Sequence, residues 1–187
     1  MLHLIFDRYW DICLLKESPE NTPYSITRMV LSAFLLALLM AVEWDYAYFN
    51  STEKMINSSG EMINNVFTSI SLIISYVIYT YLVLFVKGLT PRLVQTVTSL
   101  YCINIIIHIL IIPLLIIGPY LSLVNLRNPL FLFIGILYLF LSLGLSVWQI
   151  VITAHIYKFA LNTTAIQSVL AAFGLIAVNI LTISLLQ

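Results

Sequence analysis

The sequence predicts an all-α protein, a polytopic transmembrane helical bundle of about five spans preceded by an N-terminal interfacial amphipathic helix. Hydrophobic residues fill 61% of the 187 positions and charged residues only 9%, whereas a soluble domain carries about 25% charged residues. Mean hydropathy is +1.05. Apolar runs long enough to cross a bilayer core, which takes about 20 residues, recur along the chain and are separated by short polar turns. Eight acidic and eight basic side chains cannot cover a water-facing surface of this size, so the main solvent is lipid.

Residues 1–16 read as an amphipathic helix. Leu2, Ile5, Phe6, Tyr9, Trp10, Ile12 and Cys13 share one face at helical spacing, and His3, Asp7, Arg8 and Asp11 share the other. Such a helix is expected at the interface, with Tyr9 and Trp10 at headgroup level. Asp7, Arg8 and Asp11 interrupt the place where a cleavable leader would carry its apolar region, so the first span is expected to act as an uncleaved anchor. Pro19 and Pro23 then break the helix and force a turn. Residues 1–24 thus form the cytoplasmic helix and turn, and 25–187 a single transmembrane domain.

Span 1 is expected over 26–47. Its uninterrupted apolar core runs only from Met29 to Val42, between Arg28 and Glu43. That is roughly 21 Å of helix, short of a bilayer core. The span must borrow length, with Arg28 snorkelling at one end and Trp44, Tyr46, Tyr48 and Phe49 belting the other. Spans 2 to 5 are expected over 64–86, 93–117, 129–153 and 165–186. Gly88 and Pro91 mark a tight hairpin between spans 2 and 3, and Asn162, Thr163 and Thr164 are expected to cap span 5. Pro113 offers a rival layout in which span 3 is broken.

Lys and Arg distribution sets the orientation. Arg8, Lys16, Arg28, Lys87, Arg92 and Lys158 fall on one side, and Lys54 and Arg127 on the other. The excess places the N-terminus in the cytoplasm and the C-terminus outside. No basic run suggests nucleic acid. Cys13 and Cys102 fall in the cytoplasm and in a span, so no disulfide is expected.

His108 stands near the middle of span 3, with Asn104 one turn earlier on the same face. An ionisable side chain at that depth points to a proton relay or ligand contact. The plainer reading is a neutral imidazole bonded to Asn104 or to a neighbouring span. No carboxylate is expected at the same depth, which favours the plainer reading. Glu43 and Asp45 flank Trp44 at the outer end of span 1. They read as an acidic rim, or, for Glu43, as a pairing site for a cation on a partner.

His3, Asp7 and Asp11 fall one turn apart, a spacing that metal sites use, but solvated helix faces look the same and no metal or other cofactor is expected. Gly144-Leu145-Ser146 resembles the Gly-x-Ser of intramembrane serine proteases, yet five spans are too few for that fold. Thr68, Ser71, Ser75 and Tyr79 line one face of span 2, and Ser142, Ser146, Gln149 and Thr153 one face of span 4. Such stripes mark helix–helix contact faces. Phe6, Tyr9, Trp10, Glu43, Ser142, Ser146 and Gln149 are therefore the candidate partner contacts, and no catalytic residue is assigned.

The stretch Phe6-Asp7-Arg8-Tyr9-Trp10, then Leu14-Leu15-Lys16, then Ser18-Pro19-Glu20-Asn21-Thr22-Pro23-Tyr24-Ser25 resembles the opening of a family of small bacterial inner-membrane proteins. In these an aromatic amphipathic helix, a Leu-Leu-basic step and a Pro-x-x-x-Pro-Tyr-Ser turn precede the first span. Size and hydropathy are also similar to the small polytopic subunits of type IVB (Dot/Icm-class) secretion systems. The resemblance implies a non-catalytic inner-membrane subunit of a protein-secretion assembly, with the bilayer and other membrane proteins as partners. The alternative from the residues alone is a small permease with a polar midplane site at His108 and Asn104.

Overall fold

A computed structural model describes residues 2–49, 58–122 and 129–186, without the side chains of 2–7, 47–49, 58–61 and 122. Among the described residues there are six α-helices: α1 (Leu2–Cys13), α2 (Ile26–Phe49), α3 (Ser58–Val86), α4 (Leu93–Ser122), α5 (Pro129–Ala160) and α6 (Ala165–Leu186). The last five are each long and apolar enough to cross a membrane. Large apolar side chains such as Phe34, Phe85, Phe133, Phe140 and Leu170 stand exposed on them, as lipid-facing helices require.

Side-chain bonds fix how the helices run. Gln95 Nε2 on α4 donates to the Thr22 carbonyl just before α2, at 2.9 Å, and His108 further along α4 meets Glu43 further along α2. These two helices are therefore parallel neighbours. Arg92 Nη1 donates to the Phe159 carbonyl (3.0 Å) and Gln149 Nε2 to Asn104 Oδ1 (2.8 Å), so α4 and α5 are antiparallel. The Tyr79 hydroxyl donates to the Ala171 carbonyl and Ser75 Oγ bonds Asn179 Oδ1, which sets α6 antiparallel to α3. Gly174 permits that approach, because a Cβ there would overlap the Tyr79 ring. Ser168 and Ala172, one turn apart on α6, are also buried, as small residues at a helix contact can be.

Three of the helices end in turns of one design. After α1, α3 and α5 the backbone enters the left-handed region at Leu15 (φ 60°), Gly88 (φ 68°) and Asn162 (φ 50°). In each, the next amide bonds the carbonyl five residues back: Lys16 to Asp11, Leu89 to Leu84, Thr163 to Lys158. This arrangement satisfies the last carbonyls of a helix. Asn162 therefore ends α5 and does not cap α6, whose first turn begins from the Thr164 carbonyl accepting the Ser168 amide. Pro113 and Pro119 lie inside an unbroken α4, so the layout with a broken third span does not occur. Four helices run past their expected limits, α2 to Phe49 and α4 to Ser122 among them. α3 begins at Ser58, and α5 continues to Ala160 because Tyr157 is buried with its hydroxyl 3.0 Å from Thr80 Oγ1.

The apolar face of α1 is covered by protein. Tyr9, Ile12 and Cys13 are buried, and Trp10 packs edge-on against Trp148 of α5 at 6.5 Å between ring centroids. Trp148 Nε1 donates to the Cys13 carbonyl (3.1 Å). Trp148 stands roughly 18 Å along α5 from Ala160 at about 1.5 Å per residue, so α1 is inserted alongside the bundle helices rather than laid across their ends. The segment that follows is tied down as well. The His155 ring meets the Glu17 carbonyl at 3.1 Å, Arg92 pairs with Glu20, and Arg8 donates to the Asn21 carbonyl. The Phe6 side chain lies outside the described residues.

Burial pushes the Cys13 thiol up to about 12, which leaves almost no thiolate to react at neutral pH. In a Cys102→Ser background the native chain should therefore resist maleimide. Changing Tyr9 and Trp10 together to Ser removes aromatic burial worth roughly 1.5–3 kcal/mol per side chain and should raise the labelling rate more than roughly tenfold. Equally slow labelling of both proteins would show that these two aromatics do not hold the helix.

Candidate functional site: an acid–imidazole pair and an amide cluster

The short first span decides where Glu43 goes. Counting along the helices, Glu43 is roughly 26 Å from Ile26 and His108 roughly 22 Å from Leu93. On parallel neighbouring helices the two side chains reach one level. His108 Nδ1 lies 2.6 Å from Glu43 Oε2, with side-chain exposures of 16% and 12%. The sequence reading placed no carboxylate at the depth of His108 and left Glu43 on the outer rim, facing a partner. The structure corrects both points. Glu43 turns inward and its partner, His108, is in the same chain.

Each of the two side chains supplies the other's hydrogen-bond partner across the contact of α2 with α4. This is how an ionisable group survives where water is excluded. Glu43 Oε1 has no hydrogen-bond partner among the described residues, so the acid keeps one buried acceptor in reserve. Asp45, two residues on, is exposed.

Asn104 belongs to a separate cluster, although it is one turn from His108. Its Nδ2 donates to the Leu100 carbonyl on its own helix (2.7 Å), and its Oδ1 accepts from Gln149 Nε2 (2.8 Å) and the Tyr76 hydroxyl (3.3 Å). Asn104 therefore joins α4 to α3 and α5, while His108 joins α4 to α2. The expected single polar site at Asn104 and His108 is two sites facing different neighbours. The Gln149 NH2, on a residue expected to meet a partner, is likewise bonded inside the chain. Ser142 and Ser146 bond carbonyls of their own helix, with Ser142 half-buried and Ser146 exposed.

Two of the hollows among the described residues are large enough to matter here. One, of about 300 Å³, lies where α3, α5 and α6 meet, and Tyr76, Gln149, Thr153 and Asn179 contribute its polar wall. The other, of about 410 Å³, is an apolar groove between α2 and α3 floored by Ala37 and Ala41, with Asp45 at its edge. Asn179 escaped the sequence reading, although an asparagine inside an apolar helix is itself a signal of a buried partner. Tyr76, Tyr101 and Tyr157 escaped it too, because a tyrosine in a span reads as bulk until its hydroxyl is seen bonded. Among the described residues no group of three potential metal ligands occurs. The His3 and Asp7 side chains lie outside them.

Fold and site together define a multi-pass α-helical membrane protein with a buried acid–imidazole pair and an internal amide cluster. No protein-family model matches the chain, and no curated protein or solved structure is significantly similar to it.

A mutant cycle measures the pair. Glu43→Ala or His108→Ala alone leaves a buried polar group without its partner and should cost roughly 3–5 kcal/mol in reversible unfolding in mixed micelles. Glu43→Leu with His108→Leu should fall within about 2 kcal/mol of wild type, because no stranded group remains. Additive losses in the double variant would show that the two residues do not interact.

Proposed function

We propose that the chain is a non-catalytic subunit of a larger bacterial inner-membrane assembly, probed by its partners through the groove between α2 and α3. The groove carries this reading. Ala37 and Ala41 are spaced by one helical turn and let another helix approach the α2 backbone closely. Phe34, Leu38, Met62, Val66 and Ile70 supply the walls. The occupant that fits is a transmembrane helix of another subunit, with small residues at the crossing and a basic residue opposite Asp45. The polar side chains that might have lined a transport path are largely consumed within the bundle, which also favours a structural role.

The resemblance of residues 6–25 to small bacterial inner-membrane proteins, and of the whole to type IVB secretion subunits, supports a protein-secretion assembly. The Lys/Arg excess at the end formed by α1 and the 87–92 turn supports a cytoplasmic N-terminus and a periplasmic C-terminus. A second reading, a small proton-linked permease, is favoured by one observation, the 2.6 Å contact of Glu43 with His108 inside the bundle.

Purification in mild detergent separates the readings. The native chain should bring a membrane-protein partner in fixed proportion, and Ala37→Leu with Ala41→Leu should lose most of it at unchanged chain abundance. A phosphatase fused after Gln187 should be active in the same cells. A chain that runs alone would remove the subunit reading and put the permease ahead, and an inactive fusion would reverse the orientation.

A further inference from the structure

The hollow between α3, α5 and α6 is chemically unlike the groove just described, and its hydrogen bonding can be counted. The Leu100 carbonyl can only accept, so Asn104 must turn its NH2 to Leu100 and its oxygen toward α5. Gln149 must in turn present its NH2 to that oxygen, at 2.8 Å. This fixes the Gln149 amide, and its Oε1 is an acceptor with no hydrogen-bond partner among the described residues. Gln149 lines the hollow. The Asn179 amide, supplied by α6, has its oxygen bonded to Ser75 Oγ.

Thr153, whose hydroxyl donates to the Gln149 carbonyl, completes the polar wall, and Ile150, Leu175, Ile176 and Ile183 supply the apolar lining. Ser146 and Ile180 at the rim are exposed on the apolar outer surface. We propose that this hollow binds the hydroxyl head of a neutral, lipid-like alcohol that enters sideways from the bilayer. The hydroxyl donates to Gln149 Oε1, the amide oxygen that the bond to Asn104 leaves over. A charged head is excluded because no acidic or basic side chain lines the hollow to compensate it. At about 300 Å³ the volume sits at the low end of ligand pockets, which span roughly 300–1,000 Å³. It takes a head and its first methylenes and leaves the tail among lipids. The proposal is independent of the α2–α3 groove, which lies on another pair of helices.

The test uses the full chain in nanodiscs and tritiated oleyl alcohol as the probe. Uptake above protein-free discs should saturate at one molecule per chain. The methyl ether of the same alcohol lacks the donor and should compete roughly tenfold more weakly, the loss expected for one hydrogen bond to an otherwise unpaired acceptor. Ile180→Trp, at the exposed rim where folding is not at stake, should abolish the saturable uptake. Absence of saturable uptake, equal competition by alcohol and ether, or uptake unchanged in Ile180→Trp would each overturn the proposal.

Discussion

Within hydrocarbon there is no water to satisfy a polar group, so each such group in a span must find its partner in the chain or in a neighbouring protein. The 2.6 Å contact between Glu43 and His108 is the severest instance of that constraint here. Span 1 is too short to hold Glu43 in the far headgroups while Arg28 stays in the near ones. The carboxyl is drawn inward, and α4 must present a complementary group at that level. Parallel packing of α2 on α4 follows, and α3 and α5 then take the other sides of α4.

The same constraint organises the rest of the interior. Asn104, Tyr76 and Gln149 satisfy one another across three helices, and Ser75 and Asn179 tie α3 to α6. Towards the end that carries the Gly88 and Asn162 turns, the segment between α1 and α2 is held by Gln95, Arg92 and His155. The α1 helix can therefore remain among the bundle helices although its outer face carries Arg8 and Asp11. Much of the exposed helix surface is left to large apolar side chains such as Phe34, Phe85, Phe133 and Phe140.

Much of the fold was legible in the sequence because hydropathy reports burial in lipid directly. The five apolar runs gave five helices, and Gly88 with Pro91 marked the turn before α4. Helix adjacency was not legible. A linear sequence gives depth along each helix but not which helices touch, so Glu43 and His108, far apart in sequence, read as unrelated. Asn104 and His108 read as one site because they share a face of α4, yet that face spans the boundary between two neighbours. Asn162 was taken for a cap of α6 from its residue type. Its left-handed backbone, which Asn tolerates better than most residues, makes it the end of α5 instead. The aromatic face of α1 was visible as a face, but lipid and protein are equally apolar, and nothing in the pattern distinguishes them.

The account depends most on the side chain of Glu43 lying inside the bundle against His108. Solid-state NMR on the chain in lipid bilayers, with the glutamate carboxyl carbons labelled with 13C and the histidine ring nitrogens with 15N, tests that contact directly. The account predicts a strong dipolar coupling between one carboxyl carbon and the His108 ring, lost in Glu43→Gln. A His108 ring without that coupling would contradict it, and would return Glu43 to the membrane surface.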